Sequence, residues 1–166
     1  MSPDEVFLVR LLAALERVRL EFVVVGMAAA SMQGVPIMTQ DVDLLVRDTP
    51  LNRSRIDELA TAIGAGRPIR VSELTTTLSI VGADVPVDVL FDQLSGGRSF
   101  EGLRARAAII KLGEHSAVVA SLADIIASKE ATGRPKDLAH LQILRETERI
   151  RKALALAPPP PSGSTA

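Results

Sequence analysis

Asp41 and Asp43 stand one residue apart in the run Thr39-Gln40-Asp41-Val42-Asp43-Leu44-Leu45-Val46. They follow the Val-rich stretch Phe22-Val23-Val24-Val25, the turn residue Gly26, and a second turn at Gly34-Val35-Pro36. Side chains on a strand alternate with period two. A strand over 41–47 would therefore put both carboxylates on one face and Val42, Leu44 and Val46 on the other. Carboxylates this close repel, and both stay ionised where a divalent cation lies between them. A third acid, Asp88, lies in another apolar stretch, Pro86-Val87-Asp88-Val89-Leu90, where an unpaired charge is expensive. If the two stretches pair side by side, three carboxylates converge. Such a set suits two Mg²⁺ ions and phosphoryl-type transfer. The plainer alternative is that these are solvated acids at strand ends and edges.

These acids need a frame. Ser2-Pro3-Asp4-Glu5 carries the signals of a helix start, with Ser as cap and Pro in the first turn. Leu8, Leu11, Leu12, Leu15 and Val18 continue it at helical spacing. The run 21–25 predicts a buried strand stopping at Gly26, and small residues 27–33 a short helix packed close to it. Residues 50–66 predict a helix with Ile56, Leu59, Ala60 and Ile63 on one face. Residues 69–81 predict one or two strands, and 85–91 another strand. A chain break at Gly96-Gly97, a short helix over 100–107 and a hairpin over 108–119 around Gly113 follow. Ser121-Leu-Ala-Asp124 opens a helix running to Gly133, and Pro135 opens the last, to about Leu156. The expected class is α+β: a mixed sheet of about four to six strands flanked by helices, with helices at the C-terminal end. Residues 1–157 form one expected domain. The Pro- and Ser-rich residues 158–166 read as a disordered tail.

Composition narrows the field. The chain has 166 residues, 47% of them hydrophobic but only 2% aromatic, with no Tyr or Trp. The core is therefore aliphatic, and base stacking is open only to Phe7, Phe22, Phe91 and Phe100. A formal net charge of −1 supplies no global field toward nucleic acid. Arg98, Arg104, Arg106 and Lys111 are expected to gather near the third acid, where they would suit a polynucleotide acceptor. With no Cys and only His115 and His140, thiolate and His-rich zinc sites are unsupported. No apolar run reaches the ~18 residues of a membrane span. The N-terminus is acidic, unlike a secretory signal. A cytoplasmic location with no membrane partner is the expectation.

Gly26-Met27, thirteen intervening residues and Asp41-Val42-Asp43-Leu44 resemble the signature of the nucleotidyltransferase superfamily related to DNA polymerase beta. That signature is a hydrophobic residue, Gly, Gly or Ser, a spacer and Asp-hydrophobic-Asp/Glu. The stretch Gly34-Val-Pro36 followed by Thr39-Gln40-Asp41 resembles a bacterial branch of abortive-infection and type IV toxin–antitoxin nucleotidyltransferases. So does Lys129-Glu-Ala-Thr-Gly-Arg134-Pro-Lys-Asp137-Leu-Ala-His140-Leu141. The resemblance spans residues ~20 to ~145, and its segments come in the family's order.

The resemblance implies a nucleotidyltransferase-like fold and a cofactor, Mg²⁺ or Mn²⁺, held by Asp41, Asp43 and Asp88, with Asp88 also the candidate base. It implies nucleotide binding by Gly26, Met27, Thr39, Lys129 and Arg134, with Asp137 in support. The implied reaction moves a nucleoside monophosphate from an NTP to an acceptor hydroxyl. The acceptor is RNA (a tRNA 3′ end, for example), a partner protein or a small molecule such as an antibiotic, and a cognate toxin or antitoxin is an implied partner. Three residues depart from the pattern. Met27 replaces a Gly or Ser, so no hydroxyl is available there and the side chain must point away for nucleotide to fit. Ile37 replaces an Arg near the phosphates, and His140 stands where a second Asp is common. These losses keep a second reading open: a catalytically degenerate fold serving as a binding or antitoxin-type module.

Overall fold

A computed structural model describes residues 2–157. The tail expected at 158–166 lies outside the described residues. Local signals account for most elements. Helix α1 (Pro3–Val18) begins with a reciprocal cap: Glu5 N–H donates to Ser2 Oγ at 3.2 Å, and Ser2 N–H donates to Glu5 Oε2 at 2.7 Å. Its buried face is Phe7, Leu11, Leu12, Leu15 and Val18. Strand β1 (Val23–Val25) leads into α2 (Gly26–Met32), and β2 (Val42–Val46) follows. Helix α3 (Pro50–Ala62) is capped by Thr49 Oγ1, which accepts from Asn52 N–H at 3.0 Å. It buries the expected Ile56, Leu59 and Ala60, while Ile63 is buried just beyond its last turn.

Residues 69–81 resolve into β3 (Ile69–Arg70) and β4 (Leu78–Ile80), before β5 (Val87–Phe91). The Gly96-Gly97 break is the turn of a small hairpin, β6 (Gln93–Leu94) with β7 (Arg98–Ser99). Its two glycines have φ of +83° and +68°, a region that favours Gly. Then come α4 (Phe100–Ala105), the hairpin β8 (Ala108–Leu112) and β9 (His115–Val119), α5 (Leu122–Thr132) and α6 (Pro135–Leu156).

The main sheet has the order β3-β4-β5-β2-β1-β9-β8. Pairs β2–β5 and β1–β9 are parallel and the others antiparallel, so the sheet is mixed and the class α+β, as expected. It has seven strands rather than four to six. The 69–81 run supplies two, and the 108–119 hairpin joins the same sheet through β9. Central strands β1 and β2 are buried, and edge strand β3 is exposed. Helices α1, α2 and α3, the sheet and α5 share one apolar core built mainly from Val, Leu, Ile and Ala. Among the described residues, no helix is long and apolar enough to cross a membrane.

Candidate active site

Strand register builds the site. Val25 of β1 lies opposite Asp43 of the antiparallel β2, which sets the next residue, Gly26, over the Asp43 carboxylate. Gly26 has φ +64°, and a Cβ there would stand 2.7 Å from Asp43 Oδ2. Both the backbone angle and the space select glycine.

On the other side of β2, the parallel β5 sets Asp88 beside Asp43 in direct register, so both side chains leave the same face of the sheet. Their neighbours Val42, Leu44, Val87 and Val89 are buried on the opposite face. Asp41 lies just ahead of β2, not within it, and is exposed. Alternation, expected to align Asp41 with Asp43 on a strand over 41–47, therefore does not place Asp41, which reaches the group from a bend, while Asp43 and Asp88 share a face through the β2–β5 register. One carboxylate oxygen from each of Asp41, Asp43 and Asp88 lies within 4.8 Å of the others. Burial first, then the negative charges of Asp41 and Asp88, push the Asp43 carboxyl up to about 7, while Lys129 and Lys136 pull it the other way. This is an all-oxygen donor set with excess negative charge. Such a set fits a hard divalent cation such as Mg²⁺ or Mn²⁺ and not a thiophilic one.

The facing wall comes from α5 and α6. Asp137 is fully buried in the first turn of α6 and carries two cations. Lys129 Nζ donates to its Oδ1 at 3.2 Å, and Arg134 Nε donates to its Oδ2 at 2.8 Å. Arg134 first, then Lys129, hold this carboxyl well below the usual range. Lys129 is mostly buried and Arg134 half-exposed. His140 lies on the same helix. Burial, then Lys129, lowers its pKa, and its Nδ1 is buried without a partner among the described residues. Asp137 is therefore the carboxylate that orients Lys129.

No family model matches the chain, and no curated protein matches it. Solved structures do. An inferred nucleotidyltransferase from Thermotoga maritima superposes with a TM-score of 0.56 at 17% identity, over 95% of this chain and 97% of that one. The antibiotic-resistance factor ANT(2″)-Ia, crystallised with adenylyl-2″-tobramycin, gives a TM-score of 0.65 at 16% identity, over 93% and 95%. Its solution structure gives 0.61 at 16%, over 92% and 94%. This chain has the nucleotidyltransferase fold. At such identities the likeness carries the fold alone.

Within that fold a cleft of about 340 Å³ opens beside Asp43, and Gly26, Lys129, Arg134 and Asp137 line it. Two residues expected to bind nucleotide sit elsewhere. Thr39 lines a separate hollow with Ser2 and Leu8. Met27 does not line the cleft, because its side chain packs against the apolar core. Ile37 packs there too.

The basic cluster expected near Asp88 does not form. Arg98 and Arg106 both bond the buried Asp124, at 2.5 and 2.9 Å, and Arg104 faces Glu21 at 3.8 Å. Lys111 is on β8, at the far edge of the sheet from β5's side. Buried Asp124 outcompetes the site for these arginines, since an uncompensated buried carboxylate is costly.

Sequence reasoning missed the cleft's hydroxyl lining, Thr75, Thr76, Thr77, Ser95, Ser128 and Thr132. The run of three threonines was the available signal, but its β-branched residues read equally well as plain strand.

Proposed function

We propose that the protein is a divalent-metal-dependent nucleotidyltransferase that moves a nucleoside monophosphate from an NTP to an acceptor hydroxyl. The observation that carries this reading is the meeting of the Asp41, Asp43 and Asp88 carboxylates within 4.8 Å, with Asp43 lining one cleft together with Gly26 and Lys129. Asp41, Asp43 and Asp88 would hold Mg²⁺ or Mn²⁺. When bound, the cation would supply charge neutralisation on the phosphates and acidify the attacking hydroxyl.

The chain's own groups do the rest. Gly26 leaves room for the triphosphate beside Asp43 because it has no side chain. Lys129, oriented by Asp137, offers a point charge to phosphate oxygens, and Arg134 adds a second cation at the rim. The acceptor oxygen forms a bond to the α-phosphorus, the bond from that phosphorus to the bridging oxygen breaks, and pyrophosphate leaves. Asp88 takes the acceptor's proton. Catalysis rests on positioning and charge rather than on a covalent intermediate.

The degenerate reading drew chiefly on Met27. Because that side chain packs into the core and stays off the cleft, its replacement of Ser removes a hydroxyl without obstructing nucleotide. The finer placement in the abortive-infection and toxin–antitoxin branch rests on the 34–41 and 129–141 stretches alone, and an RNA or toxin partner rests with it.

The test is titration with each Mg-NTP, followed by release of pyrophosphate in the presence of a cell extract. Binding that needs Mg²⁺ and is lost in Asp43→Asn supports the enzyme. No binding at millimolar Mg-NTP favours a binding module.

A further inference from the structure

The row of acids has two unlike ends. Along the sheet, Ser79 of β4 lies beside Asp88, Asp88 beside Asp43, and Asp43 opposite the residue that precedes Gly26. At the Gly26 end, α5 packs on α2 and brings Lys129 with it. At the Asp88 end, the loop entering β4 lines the same cleft with hydroxyls alone, Thr75, Thr76 and Thr77. Thr75 Oγ1 and Thr77 Oγ1 share a hydrogen bond at 2.9 Å, and Thr77 N–H donates to Thr75 Oγ1 at 3.1 Å. The loop is thus shaped before anything binds. Thr76, between them, is exposed, and its hydroxyl has no hydrogen-bond partner among the described residues.

We infer that Thr75–Thr77 form the acceptor wall of the cleft and that the acceptor is a neutral, hydroxyl-rich molecule. The inference rests on the transfer reaction proposed above, which puts the triphosphate at the cationic end and the attacking hydroxyl at the Asp88 end. Charge selects the class. Among the described residues, the carboxylates lining the cleft are those of Asp43 and Asp137, with Asp41 and Asp88 grouped beside Asp43. Asp137 is buried and already paired with Lys129 and Arg134, and Asp41, Asp43 and Asp88 are together committed to the cation. No carboxylate is left for an ammonium group, so a polycationic acceptor meets no countercharge and some repulsion. An anionic acceptor finds its cations at the wrong end. Neutral hydroxyls find a preset row of donors and acceptors.

The test separates this inference from the reading beneath it. First, each Mg-NTP is titrated by calorimetry, and absence of binding overturns both. With a binding NTP in hand, its α-labelled form is incubated with the small molecules of a cell extract, split by ion exchange into neutral, cationic and anionic pools, with tobramycin as a separate polycation. Label entering the neutral pool is expected. Label entering only the cationic or anionic pool or tobramycin, or no pool at all, overturns the inference while leaving nucleotide binding intact. Thr76→Val is expected to raise the acceptor KM about tenfold, with the Mg-NTP Kd within about twofold of the parent. A variant that weakens Mg-NTP binding instead would place the loop on the nucleotide and overturn the assignment.

Discussion

Gly26 and Asp43 form one unit: a β-carbon on Gly26 would stand 2.7 Å from Asp43 Oδ2. The turn and the carboxylate were recognised separately in the sequence, yet each limits the other. Gly26→Ala forces a φ of +64° on a residue with a Cβ, a cost of about 1–2 kcal/mol, and it drives the Asp43 carboxylate aside. A melting temperature lower by about 3–8 °C and loss of the Mg²⁺-dependent thermal shift are the expected outcome in a melting assay. A variant that melts like the parent and still responds to Mg²⁺ would contradict the contact.

Removing one charge from the triad should uncouple stability from binding. Asp43→Asn relieves desolvation and repulsion from Asp41 and Asp88. Without divalent cation at pH 8 it should be more stable than the parent by about 1–3 kcal/mol. Urea melts with and without 5 mM Mg²⁺, a concentration of about the order a weak carboxylate site needs, check this. The parent should gain stability with Mg²⁺ and the variant should not.

Opposite pH slopes should flank a maximum in the cation-free protein. Asp43 is raised from 3.8 to about 7, so between these values the folded state binds more protons than the unfolded one. Stability therefore falls as pH rises through that window. Asp137 is depressed. Its contribution is complete above the unfolded value near 3.8 and is lost as pH falls below it. The optimum without cation should lie near pH 4–5, and adding Mg²⁺ should move it toward neutrality. Chemical denaturation from pH 3 to 8 reads both slopes, and an optimum at neutral pH in chelator would refute the Asp43 shift.

Asp137 is predicted to matter first for the fold. It is fully buried between Lys129 and Arg134, and truncating one partner of a buried ionic group costs about 3–5 kcal/mol. Asp137→Ala should show that loss in a melt. Lys129→Met leaves the Asp137–Arg134 pair intact, so it should cost less stability while weakening Mg-NTP binding at least tenfold by titration.

Met27→Ser tests whether the missing hydroxyl is a defect. Met27 packs on the core, so its loss should cost about 1–3 kcal/mol. A Ser at the turn should leave Mg-NTP affinity equal or improved. A gain from undetectable to micromolar binding would mean that the parent is a degenerate member.

Most elements were legible because their causes lie within a few residues. Ser2 and Glu5 cap each other, Ser121 Oγ accepts from Asp124 N–H at 3.1 Å, and Gly133 ends α5 in the left-handed region. Period two, applied to Asp41 and Asp43, picked out the face of Asp43, since alternation is a property of any strand, but not the placing of Asp41, which lies in a bend ahead of β2. Tertiary structure decided what depends on distant partners. The β2–β5 register that sets Asp43 level with Asp88 comes from sheet pairing, which no local pattern encodes. Arg98 and Arg106 look free in sequence but are taken by Asp124, because a buried charge claims the nearest cations of either neighbour. Thr39 looked like part of the site and faces another hollow, while Thr75–Thr77 looked like plain strand and line the cleft. A side chain's type is written in the chain, whereas what it faces is set by how strands and helices from remote segments pack.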